Sequence, residues 1–365
     1  MIIRTFDEFV VFENVKILGS VKMVTIDRDE LSKIPYINAS AFSEQFIVIM
    51  AFYGEDNKWR GWFIDGNKLR TLPIVDVVES EYVAKNIVAR ADIAIPFIDI
   101  MWRYLSFNEI APIIQAISHH FHSMGGSLMK LNLFYEQKEM LSYIEAGKFA
   151  CAELEYLIIK ARTIFDLVQE LVSKLWTRIE FIDKDMEMKR KRCKNLPNTF
   201  SKLVIDREKS RTAQEITEKW GLPISITTQY EKYTDFFIGL RETRNIIIHR
   251  YCIPEFVLVT EKGFCIKADS RSLSGISCRK IIYDENFISI LPLFATIILT
   301  TINFCNDVAA GIIKTFALPE LILPEYHVYV RGTIAKVMPK IQDLCNEGNP
   351  WHDKEMLKII ENHEK

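Results

Sequence analysis

The sequence predicts a mainly α-helical protein, a helical bundle with one small hairpin, preceded by a small α+β N-terminal region. Three observations support this fold class. From about residue 91 onward, apolar residues recur every three to five positions, which is the helical period. Before that point, short β-rich runs alternate with turn residues. The composition, with 49% hydrophobic and 26% charged residues, is typical of a globular protein.

The length and overall charge limit the organisation and the function. A chain of 365 residues is too long for one ordinary core, because single cores stop growing near ~250 to 300 residues, so we expect two domains. The formal net charge is -2, which gives no general attraction to phosphate. Nucleic-acid binding would therefore require a local basic patch.

The cysteines and the N-terminus indicate a cytoplasmic protein. The seven cysteines are odd in number and contain no Cys-x-x-Cys pair, so we predict neither a disulfide framework nor a zinc site. The segment Met1–Glu8 acquires acidic residues at once and lacks the layout of a signal peptide. We also find no glycine-rich phosphate loop, and we predict no cofactor.

Residues 1–90 form the predicted mixed α/β region. Phe46–Tyr53 and Trp59–Ile64 have strand-like composition, and Asp65–Asn67 is typical of a turn, so we expect a small antiparallel sheet. Residues 91–130 are predicted to be a helical connector. In it, Pro96 and Pro112 are expected breaks and Gly125-Gly126 an expected flexible joint.

Residues 131–317 form the predicted bundle. Its first helix is expected over Leu131–Trp176, where apolar residues are regularly spaced: Leu141, Ile144, Phe149, Ala152, Tyr156, Ile159, Thr163, Leu167, Leu171 and Leu175. Gly147 is a candidate bend in it or a candidate join between two helices. Further helices are predicted at about residues 200–219, 231–250 and 285–315, and the breaks are Asn195–Asn198 and Gly221–Pro223.

A hairpin is predicted from Phe256–Val259 and Phe264–Ile266, which flank Glu261–Gly263. Residues 318–365 are a C-terminal extension. In it, Tyr326–Val330 resembles an added strand and Ile334–Leu344 a helix.

Phe287–Cys305 raises the alternative of a membrane protein, because these nineteen residues carry no charge and a spanning helix needs roughly 17 to 25 mostly apolar residues. We interpret the segment as a buried bundle helix instead. Pro292 interrupts it early, several Ser, Thr and Asn residues make it less apolar, and no basic cluster flanks it. We therefore expect no membrane association.

The segment Arg244–Tyr251 is the strongest functional candidate. On a helix each residue turns by ~100°, so Arg241, Asn245 and His249 share one face, while Arg244 lies about 140° from His249. The two side chains do not converge within one helix. This geometry suggests a composite site, in which a second copy of the chain contributes its own Arg and His across a two-fold interface.

These residue types suit metal-independent RNA cleavage, because RNA supplies its own nucleophile, the 2′-hydroxyl. His249 would transfer a proton near pH 7, and Arg244 would stabilise the charge that develops on the phosphorus oxygens. Asn245 would orient the phosphate or the imidazole. A purely structural role accounts equally well for these residues, since basic side chains near a helix C-terminus interact favourably with the helix dipole.

The motif Arg244-Asn245-Ile-Ile-Ile-His249 resembles the Arg-x(4-6)-His motif of the HEPN superfamily. Its surroundings are similar as well: a long first helix, a Leu-Pro link at Asn195–Phe200, the motif near the end of a later helix, then a hairpin and a last apolar helix. The resemblance covers about residues 131–317. It implies a helical bundle that acts as a homodimer and a ribonuclease of toxin or anti-phage defence type, with catalytic roles for Arg244 and His249 and a supporting role for Asn245.

The same resemblance implies further partners. The motif continues to Tyr251, as in toxins whose tyrosine is adenylylated by an antitoxin, so Tyr251 is a candidate modification site and an antitoxin or defence protein a candidate partner. The alternative is that Tyr251 is an aromatic residue that packs on the bundle at a helix end. The alternative function is a non-catalytic HEPN module for interaction or for nucleotide or RNA binding.

Basic residues near the motif and in a separate run are candidate RNA contacts. These are Arg241, Arg250, Lys189, Arg190, Lys191 and Arg192. A solvated helix end explains the run 189–192 equally well. The segment Ser118–His122 contains three histidines but no further ligand at zinc spacing, so we predict no metal site.

Overall fold

The computed structural model confirms a mostly helical protein with sheets at its N-terminal side and beside the bundle. It describes the following residues: 2–4, 9–15, 21–27, 46–48, 51–54, 57–65, 68–73, 77, 79–105, 109–178, 181–183, 185, 190, 195–207, 209–250, 257–268, 276–318, 321 and 324–352.

The N-terminal strands are short and belong mainly to one sheet. They are β1 (Ile2–Arg4), β2 (Phe9–Val15), β3 (Val21–Asp27), β4 (Phe46–Val48), β5 (Ala51–Tyr53), β6 (Trp59–Asp65), β7 (Lys68–Pro73) and β8 (Ser80–Ala84). Strands are confirmed within Phe46–Tyr53 and over Trp59–Ile64, but Phe46–Tyr53 contains two strands, β4 and β5, which belong to different sheets. The expected small antiparallel sheet is wrong, because the main sheet has seven strands and includes the parallel pairs β2–β7 and β5–β8.

The helices follow β8. They are α1 (Pro96–Leu105), α2 (Ala111–Glu136), α3 (Lys138–Leu141), α4 (Tyr143–Arg178), α5 (Phe200–Val204), α6 (Ala213–Trp220) and α7 (Ile224–Arg250). Two short strands, β9 (Ile205–Asp206) and β10 (Lys209–Ser210), separate α5 from α6.

The last third of the chain alternates strands and helices. Its elements are β11 (Leu258–Val259), β12 (Phe264–Lys267), β13 (Ile282–Asp284), β14 (Phe287–Ser289), α8 (Leu291–Thr315), β15 (His327–Arg331) and α9 (Thr333–Cys345). The hairpin is confirmed, because Leu258 pairs with Cys265 in an antiparallel register. The predicted strand and helix of the C-terminal extension are confirmed as β15 and α9.

A seven-stranded sheet joins the two ends of the described chain. Its order is β15-β8-β5-β6-β7-β2-β3, and the pairs β2–β7 and β5–β8 are parallel. β15 pairs with β8 along its whole length, from His327 opposite Ala84 to Arg331 opposite Ser80. The C-terminal extension is thus part of the N-terminal sheet. A second sheet, in the order β11-β12-β14-β13, lies beside the bundle.

One hydrophobic core includes buried side chains from Ile95 to Leu344. Within it, Phe165 of α4 stacks on Phe304 of α8 at 4.0 Å between ring centroids, and Phe200 packs edge-on against both. The helices that the sequence assigns to a connector, a bundle and an extension therefore share this core. The domain boundaries themselves stay a prediction.

Several details of the predicted helices are wrong. Residues 200–219 are not one helix, because β9 and β10 separate α5 from α6, and the helix predicted over 285–315 begins only at Leu291, after strand β14. The pattern over Leu131–Trp176 is not one helix: α2 ends at Glu136, and α4 begins at Tyr143 after Ser142, whose φ is 77°. Gly147 lies inside α4 and does not mark a join between two helices. It lets β11 approach closely, since a Cβ there would lie 2.7 Å from the carbonyl oxygen of Val257.

Gly125-Gly126 is also not a flexible joint, because both residues lie in the middle of α2. Gly125 has a packing role: a Cβ at this position would lie 3.0 Å from the Cα of Ile334, at the start of α9. The absence of a side chain therefore allows α9 to cross α2 at close range.

Candidate functional site

Helix α7 carries the motif and is held in the bundle by its core face. Tyr233, Phe237 and Leu240 are buried along this face. The hydroxyl of Tyr230 donates to Oε1 of Gln169 on α4 at 2.7 Å. The ring of Phe237 packs against that of Phe165, with 5.4 Å between the ring centroids. These contacts fix the rotation of α7 about its axis and hence the direction of each motif position.

The pairing of α7 with α4 also fixes the position of the motif along the axis of α4. Tyr230 meets Gln169, and Phe237 meets Phe165, so the two helices run antiparallel. The seven residues from Phe237 to Arg244 advance α7 by about 10 Å at ~1.5 Å per residue. Arg244 therefore lies beside the N-terminal half of α4.

The described motif side chains are accessible. Arg241 is exposed, and Arg244 and Asn245 are half-buried. Arg244 follows Phe237 by seven residues and continues the core-facing side of α7, whereas Asn245 lies about 100° further round. No described carboxylate lies within ion-pair distance of Arg244. Its guanidinium therefore has no described ionic partner and can serve an anionic ligand.

Several predicted site residues lie wholly or partly outside the described residues. His249 and Arg250 belong to the helical backbone of α7, which keeps His249 at the register position opposite to the core face, but their side chains are outside the described residues. Tyr251, Lys189, Lys191 and Arg192 lie outside them entirely.

Arg190 does not lie near the motif. Its Nη1 donates to the carbonyl oxygen of Trp176 at 3.0 Å, and its guanidinium carbon lies 5.1 Å from the ring centroid of Phe181. Arg190 thus contacts the C-terminal end of α4, while Arg244 lies beside its N-terminal half. About twenty residues of helix, or about 30 Å at ~1.5 Å per residue, separate the two. The structure does not bring these two predicted RNA contacts together.

The histidine segment of α2 has structural contacts. His122 is buried, and its two ring nitrogens face different carboxylates: Nδ1 lies 3.2 Å from Glu79, and Nε2 lies 3.8 Å from Glu81. Ser118 donates to Glu81 as well. A metal ion would need these groups to converge on one point, and within the described residues no group of three or more His, Cys, Asp or Glu side chains does so.

His120 is a half-buried residue of α2. Its pKa is lowered from the ordinary 6.5 to about 4, mainly by burial and also by the positive charges of Lys160 and His119. His120 is therefore neutral at pH 7 and does not provide a cation for RNA.

Sequence reasoning missed one polar cluster, at the junction of α1 and β15. Nδ1 of His327 lies 3.3 Å from Oδ2 of Asp99 and 3.1 Å from Nη1 of Arg103. Oδ1 of Asp99 accepts from the backbone N–H of Val328. Because His327 and Asp99 are 228 residues apart, no local sequence pattern could have paired them.

Comparison of the chain with protein-family models, with curated proteins and with solved structures gave no match. Among the described residues, α8 is the one helix with the length and composition to cross a membrane. Of its most apolar window, 56% is buried inside the protein. A core helix passes the same test, so α8 by itself does not indicate a membrane.

Proposed function

We propose that this protein is a metal-independent endoribonuclease of toxin or anti-phage defence type whose site uses Arg244, Asn245 and His249. The observation that carries the proposal is the placement of the motif. Its described polar side chains are accessible on the final turns of α7, and Arg244 has no described ionic partner. The resemblance to the HEPN motif supplies the reaction class.

In the proposed reaction, the 2′-oxygen of RNA attacks the adjacent phosphorus, and the bond to the 5′-oxygen of the next nucleotide breaks. His249 accepts the proton of the 2′-hydroxyl or delivers one to the leaving 5′-oxygen. Arg244 stabilises the negative charge on the phosphorus oxygens in the transition state. The products are a 2′,3′-cyclic phosphate and a 5′-hydroxyl.

The two roles require a second copy of the chain. Arg244 continues the core-facing side of α7 and the register position of His249 lies opposite to it, about 140° away. One helix therefore cannot place both groups on the same phosphate. A homodimer in which each RNA contact uses Arg from one protomer and His from the other resolves this conflict.

The direct test is incubation of the purified protein with RNA in the presence of EDTA. We expect cleavage to continue with chelator and to fall by at least about 100-fold in His249→Ala and Arg244→Ala, as is typical for loss of a general base or a charge-stabilising group. His119→Ala, an exposed histidine on α2, is the matched control and should cleave like the wild type. Loss of cleavage on chelation, or full cleavage by His249→Ala, would refute the mechanism.

A mixing experiment tests the composite site. Equal amounts of His249→Ala and Arg244→Ala protomers, exchanged and then assayed, should recover up to about a quarter of the wild-type rate. Half of the dimers are then mixed, and each mixed dimer has one intact site. No recovery in a sample shown to contain mixed dimers would refute the composite arrangement. RNA binding without cleavage would instead favour the non-catalytic module.

A further inference from the structure

The N-terminal half of α4 exposes apolar side chains on the side opposite to its core face. Phe149, Tyr156 and Ile159 are 43%, 36% and 39% exposed, whereas Leu154, Leu157 and Ile158 are fully buried. The exposed side chains belong to the periodic pattern that the sequence suggests as a packed stripe. The helix thus has two apolar faces, and the bundle covers only one of them.

The exposed stripe has the spacing of a coiled-coil seam. Phe149, Ala152, Tyr156, Ile159 and Thr163, which we call the α4 seam, alternate intervals of three and four residues. They occupy the a and d positions of two heptads over about 21 Å of helix. A seam of this kind buries its side chains against another helix with the same spacing.

The charges beside the seam are complementary to those of a second, antiparallel copy. We propose that the α4 seam is a homodimer interface in which Tyr156 packs against the partner's Ile159. Glu155 and Arg162 occupy successive g positions. In this register Glu155 faces the partner's Arg162, and the two-fold axis repeats the pair.

Glu155 has no ionic partner among the described residues, and Arg162 has one. Burial raises the pKa of Glu155 above its ordinary value, and no described cation lies within ion-pair distance of it. Arg162 pairs with Asp166 at 3.2 Å, but its Nε is buried with no acceptor among the described residues. Within one helix the two groups are seven residues apart, about 10 Å, and cannot meet.

A shifted antiparallel register is less favourable. A shift by one heptad places Glu155 opposite the partner's Glu155, and like charges repel at such positions. A parallel pair would instead place Glu155 beside the partner's Lys160, so substitution of Arg162 distinguishes the two orientations.

The evidence for this interface is independent of the motif. Helix α7 contacts α4 at Phe165 and Gln169, which lie about 140° from the seam around the axis of α4. The interface therefore leaves α7 and its motif uncovered, so dimerisation through the seam and RNA cleavage can be tested separately.

Oligomeric state, measured by light scattering coupled to size exclusion over a concentration series, tests the interface. We expect a wild-type dimer and a monomeric Ile159→Glu variant. Ile313→Glu is the matched control, because Ile313 is a similarly exposed apolar residue (41%) on α8, and it should remain dimeric. A monomeric wild type, or a dimeric Ile159→Glu protein, would overturn the proposal.

Charge exchange tests the register. Glu155→Arg and Arg162→Glu should each weaken dimerisation by about tenfold, since each creates two repulsive pairs and about 1.4 kcal/mol corresponds to a factor of ten. The double variant should recover most of the affinity, because each pair is then restored in reverse. Recovery cannot come from contacts within one chain, and its absence would overturn the antiparallel register.

RNA cleavage by the same proteins separates this inference from the proposed function. If the dimer and the charge rescue behave as expected but wild-type protein cleaves no RNA, the interface stands and the ribonuclease proposal fails. If RNA is cleaved and Ile159→Glu remains a fully active dimer, the interface fails and the ribonuclease proposal stands.

Discussion

Two adjacent glycines in the middle of α2 allow a test of how α9 packs against it. Gly125→Ala and Gly126→Ala are the same substitution one residue apart in the same helix. A Cβ at Gly125 would lie 3.0 Å from Cα and 3.2 Å from the backbone nitrogen of Ile334. A Cβ at Gly126 would meet only the methyl group of Thr333, at 4.0 Å, which is an ordinary contact.

The expected magnitudes follow from these distances. Either substitution favours the helix by about 0.8 to 1 kcal/mol, because alanine loses less backbone entropy than glycine. Gly126→Ala should therefore stabilise the protein by about this amount. At Gly125 the new methyl group overlaps backbone atoms, and overpacking costs about 1 to 3 kcal/mol. We expect Gly125→Ala to be less stable than Gly126→Ala by about 1 to 3 kcal/mol.

The backbone of α9 cannot retreat easily from the new methyl group. Gly332, which precedes α9, has a φ of 112°, and a Cβ there would lie 2.9 Å from the Cα of Glu79. The preceding strand β15 is paired with β8 along its whole length. The start of α9 is therefore held by the sheet on one side and by α2 on the other.

The assay is equilibrium urea unfolding, followed by tryptophan fluorescence and far-UV circular dichroism. Equal slopes in urea would show that both variants unfold from the same native state. If Gly125→Ala stabilises the protein as much as Gly126→Ala, the close crossing of α2 and α9 is wrong, and the role assigned to Gly125 is wrong with it.

Two further predictions concern buried charge and pH. Asp92→Ala should cost about 3 to 5 kcal/mol in urea unfolding, because it leaves the guanidinium of Arg331, which contacts both carboxylate oxygens at 2.9 and 2.8 Å, without its buried partner. The control is Glu170→Ala, which removes the exposed ion pair between Glu170 and Lys174 and should cost about 1 kcal/mol or less. Equal losses of stability in Asp92→Ala and Glu170→Ala would contradict this account. Because the folded state lowers the pKa of His120 from 6.5 to about 4, the unfolded state binds more protons in this range. The contribution of neutral His120 to the free energy of unfolding is therefore fully present above pH 6.5 and is lost as the pH falls towards 4. His120→Gln should reduce the loss of stability between pH 7 and pH 5, and an unchanged pH profile would refute the assignment.

Local sequence determined much of the secondary structure. Gly221 ends α6 in the left-handed region, with a φ of 73°, where glycine is the usual residue. The turn at Glu261–Gly263 separates two short apolar runs, and the hairpin follows from it. The apolar segment Leu291–Thr315 forms α8, as its length and composition predict. In each case the information lies within a few residues.

Part of the candidate site could be predicted from the sequence, and part is visible only in the structure. The motif spacing predicts that Arg244 and His249 diverge on one helix, and the helical backbone of α7 is consistent with this. The sequence does not reveal that Arg190 lies at the other end of α4. Nor does it place Asp99 beside His327, because these contacts join residues that are distant in the chain.

Periodicity by itself predicted that α4 has an apolar stripe, and tertiary structure alone decided which stripe is covered. Two sets of apolar residues share the helical period in α4. Ala150, Leu154 and Phe165 are buried, while Tyr156 and Ile159 are exposed. A repeat along one chain records only that a face can be buried. Which face is buried depends on how α2, α7 and α8 surround the helix, and these positions are set by contacts between residues far apart in sequence.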